Sequence, residues 1–482
     1  MTNQDKIKKI LLNQFGYTYF REGQEEAILA ALSGKDTLVM LPTGTGKSVC
    51  YQITGYCLDG IVIIVSPLLS LMQDQVDQMK RLGEKRVAAI NSLMSSEEKQ
   101  WVLSHLGDYK FVFLSPEMLQ QKYVLAKIKT MKISMMAIDE AHCISQWGMD
   151  FRLEYLGLGT VRKELNYPLT MALTATATEI VREEIISSLL LDKNKMTQIL
   201  YSVDRPNIAL TSINCERDKE EQVLRIVEEI AKPGIIYFSS KKQADRIALW
   251  LKEKTDYAIE SYHSEINNED KIKIQQQFIQ NEIEIICATS AFGMGINKEN
   301  IRFVIHYHMP ASVESYLQEI GRCGRDGKQS VAVLLFETSD RFLQKRLQEQ
   351  SLPTTAMLEY AYRHGKVHEG SCSETQKQII ENYLIAETPI EEAKSQLLGR
   401  ELQKNRQLEY MVQYSQTIDC KRKFLLHYFN EKIVEKPLYC CSSCGYDRHF
   451  QEILKEKQKT EHLAASKNWK EKITNLFLLP NK

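Results

Sequence analysis

The sequence predicts an α/β fold of two tandem domains, each built on a parallel sheet, followed by a small, cysteine-rich helical domain. Three observations carry this. First, short apolar runs alternate with longer helical patterns: TLVML (37–41), IVIIV (61–65), FVFL (111–114), MMAI (135–138) and LTMAL (169–173), then IIYF (235–238), EIICA (284–288), RFVIH (302–306) and VAVLLF (331–336). Strands covered on both faces read as near-continuous apolar runs, and helices between them imply parallel pairing. Second, the alternation pauses near SVDRPNIAL (202–210), and 482 residues suffice for about three domains at ~100–200 residues each. Third, charged helical patterns take over after about residue 340, and four of the 11 cysteines crowd into 420–444. The expected boundaries are 1–204, 205–340 and 341–450, with a Lys/Glu-rich tail over 451–482.

Composition narrows the class. The formal net charge is zero, so contact with nucleic acid depends on local basic patches rather than a global positive field. The N-terminus MTNQDKIKKILLNQ has no signal-peptide core, and no apolar run approaches the ~18 residues that span a bilayer. A soluble, cytoplasmic protein without a membrane partner is expected. In a reducing compartment, clustered cysteines suggest a metal rather than disulfides.

The first strand runs into LPTGTGKS (41–48), and a helical pattern begins at Val49. Gly44 and Gly46, flanking Thr45, let the backbone wrap a polyphosphate, and the following helix N-terminus offers free N–H groups to it. Lys47 would reach the β/γ-phosphates, and the Ser48 hydroxyl would sit on Mg²⁺. Leu41 stands where the general pattern has its leading glycine. A plain glycine turn is the bland alternative, and a second acidic motif weighs against it. Asp139 and Glu140 follow the apolar run ISMMAI, at the carboxyl edge where α/β sheets bind ligands. Asp139 suits Mg²⁺, and Glu140 can polarise the water that attacks the γ-phosphate. In QEIGRCGRDG (318–327), Arg322 and Arg325 are three apart on an expected helix and so share a face. As arginine fingers from the second domain they would be worth ~10³–10⁵ in rate. A surface arginine pair is the alternative for any isolated GRxGR.

The stretch DEAHCISQWGMDFRLEY (139–155) adds His142, Gln146, Trp147, Phe151 and Arg152 directly after the two acids. Aromatic rings and guanidinium planes stack on unpaired bases at ~1–3 kcal/mol each. The bland alternative makes Trp147 and Phe151 core residues; Trp147, between Gln146 and Gly148 on an expected loop, favours function, whereas Phe151 fits either reading. His142, on composition alone, fits a metal ligand, a general base or a packed structural histidine. In the C-terminal region, Cys441 and Cys444 form the close pair that tetrahedral Zn²⁺ usually takes at a turn. Cys440 and Asp447 compete for the fourth position, and thiolate is the softer ligand for a structural zinc.

Taken in order, these motifs resemble the RecQ family of superfamily 2 DNA helicases over residues 10–340, and less closely over 420–444. FGYTYFREGQEEAI (15–28) is similar to motif 0, PTGTGKS to motif I, SPLLSLMQDQV (66–76) to Ia, DEAHCISQWGMDF to II with the aromatic-rich loop, and LTATAT (173–178) to III. GIIYFSSKKQADRIA (234–248) resembles motif IV, IICATSAFGMGINK (285–298) motif V, and QEIGRCGRDG motif VI. The resemblance implies two RecA-like domains, ATP and Mg²⁺ as cofactors, and structural Zn²⁺ with Cys420 as the lone helical ligand. It implies that Tyr17 stacks on adenine while Arg21 and Gln24 read the nucleotide, and that His142 couples ATP to the second domain. The implied activity is ATP-driven translocation on single-stranded DNA, 3′ to 5′, with unwinding of tailed or forked duplex. Single-strand-binding and repair proteins would be its partners. His263 and His306 fall in family motifs as structural or interdomain contacts.

Three departures stand out: Met149 replaces a usual His, Leu153 a usual Pro, and Lys241 a usual Arg. None removes a phosphate or Mg²⁺ group. Segment 373–411 reads as a helix-turn-helix or a plain helical extension, starting a helix at Thr388-Pro389. Only 38 residues follow Cys444, so a short RecS-like form without winged-helix or HRDC domains is expected. The competing readings are an RNA helicase of DEAD/DEAH type and an ATP-gated nucleic-acid clamp that does not unwind.

Overall fold

Each apolar run above forms an inner strand of one of two sheets in a computed structural model. It describes residues 2–445 apart from 68, 92–93, 146–152, 216, 294–297, 369 and 371. The first sheet comprises β1 (Thr37–Met40), β2 (Ile61–Val65), β3 (Val87–Ile90), β4 (Phe111–Leu114), β5 (Ile133–Ile138), β6 (Thr170–Thr174) and β7 (Thr197–Leu200), in the order β3-β4-β2-β5-β6-β1-β7. The second comprises β8 (Ile208–Asn214), β9 (Gly234–Tyr237), β10 (Ile259–Tyr262), β11 (Ile285–Ala288), β12 (Phe303–His306) and β13 (Ser330–Phe336), in the order β10-β11-β9-β12-β13-β8. All described pairings are parallel.

Successive side chains on a strand point to opposite faces, and here both faces are apolar. Val39, Ile64, Phe113, Met135 and Leu173 pack on one side of the first sheet, Leu38, Ile63, Val112, Met136 and Ala172 on the other. Each of these buried side chains other than Ala172 contributes about 1.5–3 kcal/mol. The second of these clusters continues through Leu210, Ile235, Tyr237 and Tyr316 to Cys440 and Cys441, so one apolar body joins both sheets to the cysteine region. Leu41, in the place of the pattern's leading glycine, is fully buried in the other cluster.

Because β5, β6 and β1 are neighbours, the segments leaving their carboxyl ends stand side by side. These are the acidic motif, LTATAT and the phosphate loop. The connection from β7 to β8 carries the DRPN stretch, 204–207.

Beyond β13 the chain is helical: Thr338–Ser351, Thr355–His364, Glu374–Ile385, Ile390–Gln416 and Lys421–Tyr428. The long helix starts after Pro389, as the Thr-Pro pair suggested. Leu358, Ala361, Ile380, Tyr383, Ala393 and Leu397 form a separate core, so 355–397 is a small bundle and more than a plain extension. No described helix is long and apolar enough to cross a membrane.

One local expectation fails. Arg322 and Arg325 do not lie on a helix: Val313–Ile320 ends before them, and 321–326 run as successive turns. Gly324 sits at φ +51°, in the left-handed region that a right-handed helix cannot pass through.

Candidate nucleotide cleft and cysteine site

The phosphate loop leads into helix Lys47–Cys57. Gly46 precedes the helix at φ 78° with no side-chain cap, so its first N–H groups are left for a ligand. The loop is braced from behind. The Arg21 guanidinium donates to the Gly44 carbonyl, and Gln24 Nε2 donates to the carbonyls of Thr45 at 2.7 Å and Gly46 at 3.1 Å. Arg21 and Gln24 therefore engage the loop's backbone directly. Tyr17 is half-exposed at the mouth, a geometry suited to stacking.

A cleft of about 460 Å³ opens between the sheets. Tyr17, Arg21, Gln24, residues 43–48, Asp139, Glu140, Arg322 and Arg325 all line it. The sequence thus identified residues from four separate segments that the fold brings to one cleft. Arg325 crosses closely over Gly44: a Cβ added at Gly44, where φ is +88°, would lie 2.6 Å from Arg325 Cγ. Arg322 is buried and donates to the Gly293 carbonyl. Burial lowers the Arg325 pKa to about 9, with the neighbouring charges of Arg322 and Arg205 adding to the effect. Such a cation is relieved by an anion, which is what a polyphosphate would bring.

The acidic pair has the complementary problem. Burial pushes Asp139 up to about 7, and the Glu140 charge adds to this while Lys47 opposes it. Glu140 itself is held at φ 47°, a left-handed conformation that costs a non-glycine residue roughly 1–2 kcal/mol. Its Oε2 makes no hydrogen bond and lies 3.3 Å from His142 Nδ1. A high-pKa carboxyl beside a carboxylate oxygen free of hydrogen bonds is a donor set that fits a hard divalent cation and a bound water. His142 is buried with Nδ1 3.1 Å from Thr174 Oγ1, so its described partners, Glu140 and Thr174, both belong to the first domain. Tyr155, fully buried, donates to the Asp139 carbonyl at 3.2 Å. The far end of the aromatic-rich stretch is thereby anchored to the acidic strand end. Gln146, Trp147, Met149, Phe151 and Arg152 lie outside the described residues. His263 pairs with Asp245 and His306 with Glu319 inside the second domain, at 3.0 Å and 2.7 Å, so these contacts are not interdomain.

Sequence reasoning passed over Arg205 and Asn207, reading DRPN only as a domain break. Arg205 donates to Thr43 of the phosphate loop and to carbonyls of the arginine-bearing turns. The available signal was an arginine next to proline in a connection that lacks apolar periodicity.

In the C-terminal region, Cys420, Cys440, Cys441 and Cys444 place their Sγ atoms within 4.8 Å of one another. The Sγ separations are 3.6 Å for Cys420–Cys440, 3.8 Å for Cys420–Cys441 and 3.5 Å for Cys441–Cys444. A tetrahedral Zn²⁺ with Zn–S of about 2.3 Å requires sulfurs about 3.8 Å apart, whereas a disulfide requires about 2.05 Å. The set fits zinc and contains no disulfide. Cys440 belongs to it, while Asp447 lies outside the described residues. The site is tied to the second sheet, because Cys441 bridges to Leu210 of β8.

Two parallel sheets sharing a phosphate-loop cleft, with arginines entering from the second, define a two-domain nucleotide-driven helicase core. Residues 21–184 match the DEAD/DEAH box helicase family, 218–327 the helicase conserved C-terminal domain and 373–447 the RecQ zinc-binding family. The chain is 42% identical over 495 residues to the probable ATP-dependent DNA helicase RecS of Bacillus subtilis (strain 168), covering 98% of each. It is 37% identical over 432 residues to the ATP-dependent DNA helicase RecQ of Pasteurella multocida (strain Pm70), covering 89% of this chain and 61% of that one. The DUF1998 helicase MrfA, solved bound to DNA, shares the fold at a TM-score of 0.61 and 16% identity, over 78% of this chain and 64% of that chain. The chain belongs to the RecQ family of ATP-dependent DNA helicases.

Proposed function

We propose that the chain hydrolyses ATP to ADP and phosphate in order to move along single-stranded DNA, 3′ to 5′, and separate duplex strands. DNA repair, recombination or replication restart in the cytoplasm is the setting that fits such an activity. The observation that carries the reading is Arg325 of the second domain lying across Gly44 of the first domain's phosphate loop. Hydrolysis then requires the two domains together, and a cycle of binding and hydrolysis becomes a cycle of closing and opening.

In this reading Lys47 and the loop N–H groups hold the phosphates, with Tyr17, Arg21 and Gln24 at the nucleoside end. Ser48 and Asp139 would hold Mg²⁺, which supplies charge neutralisation at the phosphate oxygens. Glu140 orients the attacking water, and Arg322 and Arg325 stabilise negative charge as it develops. His142, between Glu140 and Thr174, relays changes at the water site to LTATAT. Gln146, Trp147, Phe151 and Arg152 would stack on or contact DNA, and Tyr155, next in the same sequence stretch, donates to the Asp139 carbonyl. The four cysteines would hold Zn²⁺, which would supply a structural cross-link between the helical region and β8.

The test is strand displacement on tailed and forked DNA, with and without ATP, beside ATPase assays with DNA or RNA as activator. Displacement of 3′-tailed duplex that needs ATP is expected. Stimulation by RNA equal to that by DNA would favour an RNA helicase, and ATPase without displacement would favour a nucleotide-gated clamp.

A further inference from the structure

We propose that Arg205 is a positioning residue for ATP hydrolysis, a clasp that binds the phosphate loop and the arginine-bearing turns with one guanidinium and so sets Arg325 against Gly44. The inference rests on the ATPase reading above. Arg205 Nη1 donates to Thr43 O at 2.6 Å and Gly321 O at 3.3 Å, and Nη2 donates to Cys323 O at 3.1 Å and Gly324 O at 2.7 Å. These three turn carbonyls flank Arg322 and lead directly into Arg325, so holding them fixes where both arginines leave the backbone. Thr43 is the residue before Gly44, the glycine that Arg325 crosses.

The surroundings leave little slack. A Cβ added at Gly321 would lie 2.6 Å from Thr43 Cβ, so the two segments touch beneath the clasp. Asn207, two residues on, donates to Gly324 O at 2.8 Å and Lys328 O at 2.9 Å, pinning the far side of the same turn. The mount is held too. Arg422, with its side chain 2% exposed, donates to Asp204, to Arg205 O at 3.2 Å, to Ile208 O at 2.5 Å and to Cys440 O at 3.4 Å. The clasp is thus braced from the backbone of the cysteine site.

Arg205 does not line the nucleotide cleft; it borders a separate small cavity behind Thr43. Its loss should therefore spare nucleotide binding and reduce turnover. A lysine keeps the charge but lacks the planar fork that reaches both loops.

The experiment compares wild type with Arg205→Gln and Arg205→Lys in DNA-stimulated ATPase assays. It adds hydrogen exchange with and without a non-hydrolysable ATP analogue. The expected result is a kcat at least tenfold lower with KM for ATP within threefold. In the exchange arm, wild type should gain protection at both 42–48 and 318–328 on binding the analogue, and the variants at 42–48 alone. Variants with kcat within twofold of wild type, or with protection gained in both segments, would overturn the proposal. If Arg205→Gln does not fold, Arg205→Lys decides on the same criteria. A wild type without ATPase would refute the proposed function, and the exchange arm would still decide on Arg205.

Discussion

Replacing Gly44 by alanine adds one methyl group at the point where the two domains touch. At φ +88° the alanine backbone is strained by roughly 1–2 kcal/mol. The larger effect falls on Arg325. The new Cβ would stand 2.6 Å from Arg325 Cγ, and 3.1 Å and 3.3 Å from its Cδ and Nε. Carbon atoms in contact rest about 3.5–4.0 Å apart, so the arginine or its loop must retreat by about 1 Å. A misplacement of that size can cost ~10²-fold in rate, from a residue type worth ~10³–10⁵. Gly44→Ala is accordingly expected to lower DNA-stimulated kcat by about 10²-fold, with a much smaller change in KM for ATP. A double-mutant cycle isolates the cause: in an Arg325→Ala background the same methyl should cost little further rate. Gly44→Ala activity within threefold of wild type would refute the reasoning. An undiminished loss in the Arg325→Ala background would place the fault in the phosphate loop instead.

Three more outcomes are expected. Glu140→Gln should bind ATP as wild type does and lose turnover; appreciable DNA-stimulated hydrolysis would remove Glu140 from the water site. Wild type should contain one zinc per chain, with Cys440→Ser losing it and Asp447→Ala keeping it; elemental analysis of the purified variants checks this. The third concerns pH. Burial raises the Asp139 pKa from about 4 to about 7, so across that window the folded chain keeps a proton that the unfolded chain has released. Stability in the absence of nucleotide and Mg²⁺ should therefore fall as pH rises from about 4 to about 7, then level off. Asp139→Asn should remove that slope and melt at a higher temperature than wild type at pH 8. Parallel melting curves across pH for the two proteins would refute it.

What could be read from the sequence follows from burial. All nine inner strands were legible because both of their faces are covered, which demands unbroken apolar runs such as IVIIV and FVFL. The four strands that were missed, β3, β7, β8 and β10, are the four sheet edges. In β7 a single residue of four, Ile199, is buried, and in β10 the middle pair, Glu260 and Ser261, is polar and only partly covered. Half-covered strands carry a weaker signal. The turns around Arg322 and Arg325 were misread as helix because spacing alone does not register that Gly324 takes a left-handed φ.

By itself the sequence determined the chemistry available at strand ends. A glycine loop ending in Lys47 and Ser48, two carboxylates after an apolar strand, and four clustered thiols are local patterns, imposed by local backbone geometry and ligand type. Tertiary structure alone decided which of these meet. Strand order stands β5, β6 and β1 side by side, packing of the second sheet lays Arg325 on Gly44, and the β7–β8 connection places Arg205 between two loops. The last two contacts join residues more than a hundred positions apart. No periodicity of 2 or 3.6 residues encodes such a distance; it is set by which apolar faces bury against one another.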